Sequence, residues 1–136
     1  MRMTHKGPTK DRRDPSNALV KMVKTLPQIE VGRSRWTRQA AFFLLDREIA
    51  HFHSSRQVDV RLTRKRLKYY SEPIKFDRRI SRRSHSSDWV MFSIASRQDI
   101  VSVFELIKIA REANLAELKG RIGSSHKRAA DSTRKR

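Results

Sequence analysis

The segment Gln39-Ala40-Ala41-Phe42-Phe43-Leu44-Leu45 is apolar at every position after its first. It is far too short to cross a membrane and too uniformly apolar for a surface helix. It therefore predicts a central β-strand covered on both faces. In a chain whose residues are 34% charged, such a strand has to lie in the one modest core that 136 residues can build. The rest of the fold has to be arranged around it.

The flanking patterns supply that arrangement. A first helix opens at Asp14-Pro15-Ser16, where proline suits a first turn and Asp14 or Ser16 can cap. Ala18, Leu19, Met22, Val23 and Leu26 form its apolar face, and Pro27 ends it. Ile29 to Val31 alternates and opens a meander that continues through residues 39–45. Asp46-Arg47 is read as a turn, Glu48 to His53 as a strand, Ser54 to Gln57 as a second turn, and Val58 to Leu62 as a strand. In that last strand three aliphatics face inward while Asp59 and Arg61 face outward. Thr63 caps a short basic helix, Arg64 to Tyr70. Residues 74–80 read as an edge strand studded with charge, and Trp89 to Ile94 as a further strand. Ser96 and Asp99 have capping-box spacing ahead of a helix whose apolar face carries Ile100, Val103, Phe104, Ile107 and Ala110 and which is expected to end near Leu118.

Two long helices each need an apolar surface to cover. The expected fold is thus α+β, a two-layer sandwich: an antiparallel sheet of four to six strands with the N-terminal and the long C-terminal helix on one face. Residues 1–15 read as a basic mobile arm, 16–120 as a single domain, and 121–136 as a disordered basic tail.

Charge is the second constraint. Lys and Arg number 32 against 14 Asp and Glu, a net charge of +18. Residues 56–83 carry eleven basic side chains against three acidic, whereas residues 84–118 carry three against five. The field thus sits in the middle segment and the tails. The cluster Arg61, Arg64, Lys65, Arg66, Lys68, Arg78, Arg79, Arg82 and Arg83 is the expected phosphate-contacting surface, with DNA or RNA as the partner and Tyr69 and Tyr70 available for stacking. The competing reading is a solvated face whose tyrosines anchor the helix. An acidic protein is the other partner such a surface fits. No cysteine is present, which excludes disulfides and thiolate metal sites. No apolar run approaches a membrane span and no leader is recognisable, so no membrane insertion and a cytoplasmic (or nuclear) location are expected. No cofactor motif is found.

His51-Phe52-His53 is the one constellation with the makings of chemistry. Residues two apart on a strand share a face, so the two imidazoles can share a metal or pair with a carboxylate for acid–base work. Asp59 on the next strand and His85 in a later loop are the candidate third groups. With Ser54 to Gln57 as the connection, His53 falls opposite Val58 and Asp59 opposite Phe52. That register turns Asp59 away from both histidines. The alternative reading is two histidines packed at the sheet surface.

The block Glu48-Ile49-Ala50-His51-Phe52-His53, the strand Val58-Asp59-Val60-Arg61-Leu62, the Asp88-Trp89-Val90 strand and the helix opening at Ser96 together resemble the small luciferase-domain family, over about residues 26–113. The resemblance implies the α+β fold. It marks Glu48, His51, His53 and Asp59 as the positions where a family site would lie, and it implies no particular reaction. The basic residues between Arg64 and Arg83 and the basic tail depart from the family pattern. Three readings stand: a non-catalytic nucleic-acid (polyanion) binding domain, with a metal-binding or acid–base enzyme domain centred on His51 and His53 as the first alternative and an interaction module for an acidic protein partner as the second.

Overall fold

The structure, a computed structural model, describes residues 15–69, 74, 76–82, 84 and 87–135, with side chains from Ser16 as far as Gly120. In chain order the elements are α1 (Pro15–Val23), β1 (Ile29–Arg33), β2 (Ala40–Leu44), β3 (Arg47–Ser54), β4 (Gln57–Arg61), α2 (Arg64–Tyr69), β5 (Ile80–Arg82), β6 (Trp89–Ser93) and α3 (Arg97–Lys135). The six strands form one open sheet in the order β1-β2-β3-β4-β6-β5, and every neighbouring pair is antiparallel. This is the expected α+β layering. Of the expected arm at residues 1–15 only Pro15, which opens α1, is among the described residues. The last helix runs on to Lys135 instead of ending near Leu118, and the side chains of the expected tail lie outside the described residues.

One core lies between the sheet and the two long helices. Phe42, Ala50, Phe52, Val58, Val60, Val90 and Phe92 from the sheet meet Leu19 and Val23 of α1 and Val103, Ile107 and Ala110 of α3, all buried. The apolar β2 run is an interior strand, second from the sheet edge instead of central, and its Ala41, Phe42 and Leu44 are fully buried. Phe42 and Phe52 pack edge to face at 6.3 Å between centroids.

Local chemistry places the element ends. The β2–β3 turn is Leu45-Asp46, one residue earlier than the sequence reading had it. Both residues adopt positive φ, 49° and 71°, as a two-residue hairpin requires. Arg47 is thereby freed to open β3, where it donates to Asn114 at 3.2 Å and Glu117 at 2.7 Å on α3. Of the described residues in the edge strand expected at 74–80, only Ile80 is in a strand, where it opens β5. Asp77 Oδ1 accepts from the Arg79 backbone at 3.0 Å, which turns the chain, and the edge strand follows at β5. At the start of α3, Asp99 Oδ2 accepts from the backbone N–H of Ala95 at 2.7 Å and Ser96 at 3.0 Å, while Ser96 Oγ accepts from Asp99 N at 3.4 Å. This is the reciprocal cap that the spacing predicts. Among the described residues no helix is long and apolar enough to cross a membrane.

Candidate active site

Strand β3 carries two irregularities, and they build the site. Phe42 of β2 pairs with Ala50 of β3, but the next β2 residue, Phe43, pairs with Glu48. Ile49 is the extra residue of a β-bulge. Residues three apart on a regular strand point to opposite faces; the bulge brings Glu48 round to the same side as His51. The second shift lies between Phe52 and Ser54, with His53 as the extra residue. It moves the β3–β4 register by one from the sequence reading. His51 stands opposite Asp59 and Phe52 opposite Val58, so Asp59 shares a face with His51 instead of turning away. The turn that sets this register is Ser55-Arg56 alone, because Ser54 and Gln57 already pair.

On that face, opposite the helices, Glu48, His51 and Asp59 form a buried line. His51 Nε2 is hydrogen-bonded to Asp59 Oδ2 at 2.8 Å. His51 Nδ1 lies 2.8 Å from Glu48 Oε2 but off the hydrogen-bond direction, so that contact is charge attraction more than a directed bond. Each ring nitrogen of His51 thus faces a carboxylate oxygen at 2.8 Å. Glu48 is itself held. Ser34 Oγ donates to its Oε2 at 2.7 Å, and the Arg35 backbone N–H donates to its Oε1 at 3.2 Å. Ser34 is buried at the start of the β1–β2 loop, and it accepts from the N–H of Trp36 and Thr37 at 3.1 and 3.3 Å. Thr37 Oγ1 donates to the Phe52 carbonyl at 2.9 Å, which pins the far end of the loop to β3.

That loop lays Trp36 beside the buried line. Trp36, His51 and Trp89 form a three-ring cluster, with centroids 5.6 Å apart for Trp36–His51, 5.1 Å for His51–Trp89 and 5.8 Å for the two indoles, which meet nearly edge to face at 85°. A cleft of about 380 Å³ opens over this cluster, lined by Trp36, Thr37, His51, His53, Asp59, Ser87 and Trp89. In a protein of net charge +18, no Lys or Arg lines it among the described residues. His53 stands at the mouth, about half exposed, with Nδ1 3.9 Å from Asp59 Oδ2.

The four sequence-nominated positions therefore converge, but not as a histidine pair. His51 is clamped between carboxylates while His53 sits apart at the rim. Among the described residues no group of three or more His, Cys, Asp or Glu is arranged to hold a metal ion; each ring nitrogen of His51 already faces a carboxylate. His85 lies outside the described residues. The residues missed in sequence are Ser34, Trp36, Thr37 and Ser87, together with the cleft role of Trp89. The available signal was that Trp36 and Trp89 are the chain's only tryptophans, a large apolar investment in a polar loop and at a strand end.

The basic cluster is less uniform than its sequence. Arg61 is paired with Asp88 at 3.1 Å and lies 3.7 Å from Glu117. Arg79 donates to Asp77, Asp99 and Ser102 and lies over the Phe92 ring at 5.0 Å. Its bonds to the Asp77 and Asp99 side chains raise the guanidinium above its already high ordinary value. Burial opposes ionisation of Asp99, but the N–H groups of Ala95 and Ser96 and the Arg79 guanidinium outweigh it and hold the carboxyl below its usual value. These two arginines serve the fold. Arg64, Lys65, Lys68 and Arg78 are exposed, Arg66 and Arg82 half-buried, and Arg83 lies outside the described residues. Tyr69 is exposed, so α2 is anchored by Leu67 rather than by that tyrosine; Tyr70 lies outside the described residues.

Residues 46–110 match the family model described as the luciferase domain. No curated protein and no solved structure matches the chain. The matched span runs from the β2–β3 turn to Ala110 of α3 and contains Glu48, His51, His53, Asp59 and Trp89, whereas Ser34 and Trp36 precede it. The match over residues 46–110 is consistent with a luciferase-domain family protein.

Proposed function

We propose that the domain binds a small molecule in the Trp36–Trp89 cleft and moves a proton there, with Asp59 as the group that meets the ligand and His51 as its proton-holding partner. The observation that carries this reading is the buried Glu48–His51–Asp59 line beneath an aromatic cleft. Buried charged groups are costly unless paired. Three in a row, fixed by a bulge and a serine, are a large expense for a domain of this size unless the arrangement is used. A carboxylate hydrogen-bonded to an imidazole at the floor of a cleft is a usual arrangement for acid–base chemistry. Asp59 lines the cleft, His51 shares its proton, and Glu48 orients and charge-balances His51 from behind. The indoles supply apolar walls that hold a planar ligand and thin the water around the carboxylate.

The test is a panel of planar aromatic and heterocyclic compounds screened by tryptophan emission, since both tryptophans line the cleft. Hits are expected to lose affinity in Asp59→Asn and to keep it when Lys65 and Lys68 are changed to Glu. Hits that bind Asp59→Asn and the parent equally well would refute the role of Asp59.

The polyanion reading rests on a separate observation: Arg64, Lys65 and Lys68 on α2 and Arg78 beyond it are exposed. On this second reading the domain meets DNA or RNA phosphates along α2, and the contacts fall on fewer residues than the nine basic positions of the sequence. A salt titration of duplex and single-strand binding by the whole protein tests it; affinity unchanged by Arg64→Glu, Lys65→Glu and Lys68→Glu together would dismiss it.

A further inference from the structure

We infer that the ligand of the cleft is a nucleotide, its base held inside against Trp36 and Trp89 and its phosphate outside on Arg35 and Arg38. The inference rests on the proposed small-molecule site and names its ligand class.

Four observations converge on it. The cleft offers indole surface, two hydroxyls, His51, a carboxylate and His53 at its mouth, and among the described residues no cationic Lys or Arg. An anionic group is unsuited to that interior, whereas a flat heterocycle is well suited, because a base stacks on an indole face whatever its sequence identity. Trp36 is 65% exposed, so it presents a ring face to an incoming molecule without rearrangement. Asp59 is an acceptor at the floor. An exocyclic amino group, as on guanine, adenine or cytosine, is the donor that a carboxylate selects. Finally, the loop that delivers Trp36 also carries Arg35, one residue before it, and Arg38, two residues after it, both exposed. Ser34 and Thr37 bind that loop to Glu48 and to the Phe52 carbonyl, so the segment that bears the two arginines is held beside the cleft. Aromatic within and cationic at the rim is the complement of a nucleotide. The +18 charge of the chain favours the approach of such an anion.

The experiment titrates the full-length protein with GMP, AMP, CMP and UMP, with the matching nucleosides, with ribose 5-phosphate and with a phosphate-free heterocycle such as indole, reading tryptophan emission corrected for ligand absorption. Saturable change with GMP, AMP and CMP is expected, with UMP, which lacks the amino group, about tenfold weaker. Arg35→Glu with Arg38→Glu is expected to weaken the nucleotides about tenfold and leave the nucleosides unchanged, since neither side chain reaches the base. Asp59→Asn is expected to erase the preference over UMP. Ribose 5-phosphate competing as well as GMP would overturn the inference in favour of a bare anion site. A saturable response to the heterocycle with none to any nucleotide would overturn it while sparing the proposed site. No response to any compound would remove both.

Discussion

The coupling between His51 and Asp59 can be worked from the structure and measured without knowing the ligand. Their side chains are 7% and 4% exposed and meet at 2.8 Å. A hydrogen bond to a charged group contributes about 1.5–3 kcal/mol, and removing one partner of a fully buried ion pair costs about 3–5 kcal/mol. Here the loss is cushioned on both sides. His51 keeps Glu48 at 2.8 Å, and Asp59 keeps His53 at 3.9 Å. The lower range applies, so Asp59→Asn and His51→Gln should each cost about 2 kcal/mol. In a domain of this size that is a fall of about 8–16 °C in Tm. The double variant should cost well under the sum, with a coupling energy of about 1.5 kcal/mol or more. Urea unfolding followed by far-ultraviolet circular dichroism gives all four corners of the cycle. A coupling energy below about 0.5 kcal/mol, the range of independent sites, would refute the claim that the two act as one buried unit.

Other regions yield further predictions. Asp99 is held below its ordinary value of 3.8 in the folded state, so its contribution is present above that value and lost as pH falls through the lower folded value. Asp99→Asn should lower the urea midpoint at neutral pH and flatten its decline in acid, and an unaltered acid limb would contradict this. Asp46→Gly relieves a positive φ of 71° in the β2–β3 turn and should stabilise by about 0.5–1 kcal/mol on thermal unfolding. Ile107→Ala opens a cavity where α3 meets the sheet and should cost about 2–5 kcal/mol by urea midpoint; the residue is fully buried.

The layers of the fold were legible because they rest on periodicity and on strong local chemistry. The Phe42-containing run could only be an interior strand, and the Ser96–Asp99 spacing announced the start of α3. The faces of α1 and α3 followed from apolar residues three and four apart. The site was half legible. The block Glu48, His51, His53 and Asp59 stands out in sequence, but the way it assembles does not, since that depends on single-residue register. Counting from the turn put Asp59 behind the sheet; the bulge at His53 puts it against His51, and the bulge at Ile49 brings Glu48 into line. A bulge is stabilised by contacts across strands and from the loop, here Ser34 on Glu48 and Thr37 on the Phe52 carbonyl, and no local pattern encodes those. The same holds for charge. Arg61 and Arg79 look like free cations in sequence, yet Asp88, Asp77 and Asp99, distant or turned toward them by the fold, engage both.

The most direct test of an acid–base site beneath the tryptophan cleft is a proton count on ligand binding. Calorimetric titration of one emission-active ligand is run in two buffers of different ionisation enthalpy, for the parent protein and for Asp59→Asn. Proton exchange on binding to the parent, abolished in the variant, is the predicted result. Identical binding enthalpies in both buffers for the parent, across the pH range of stable folding, would contradict it.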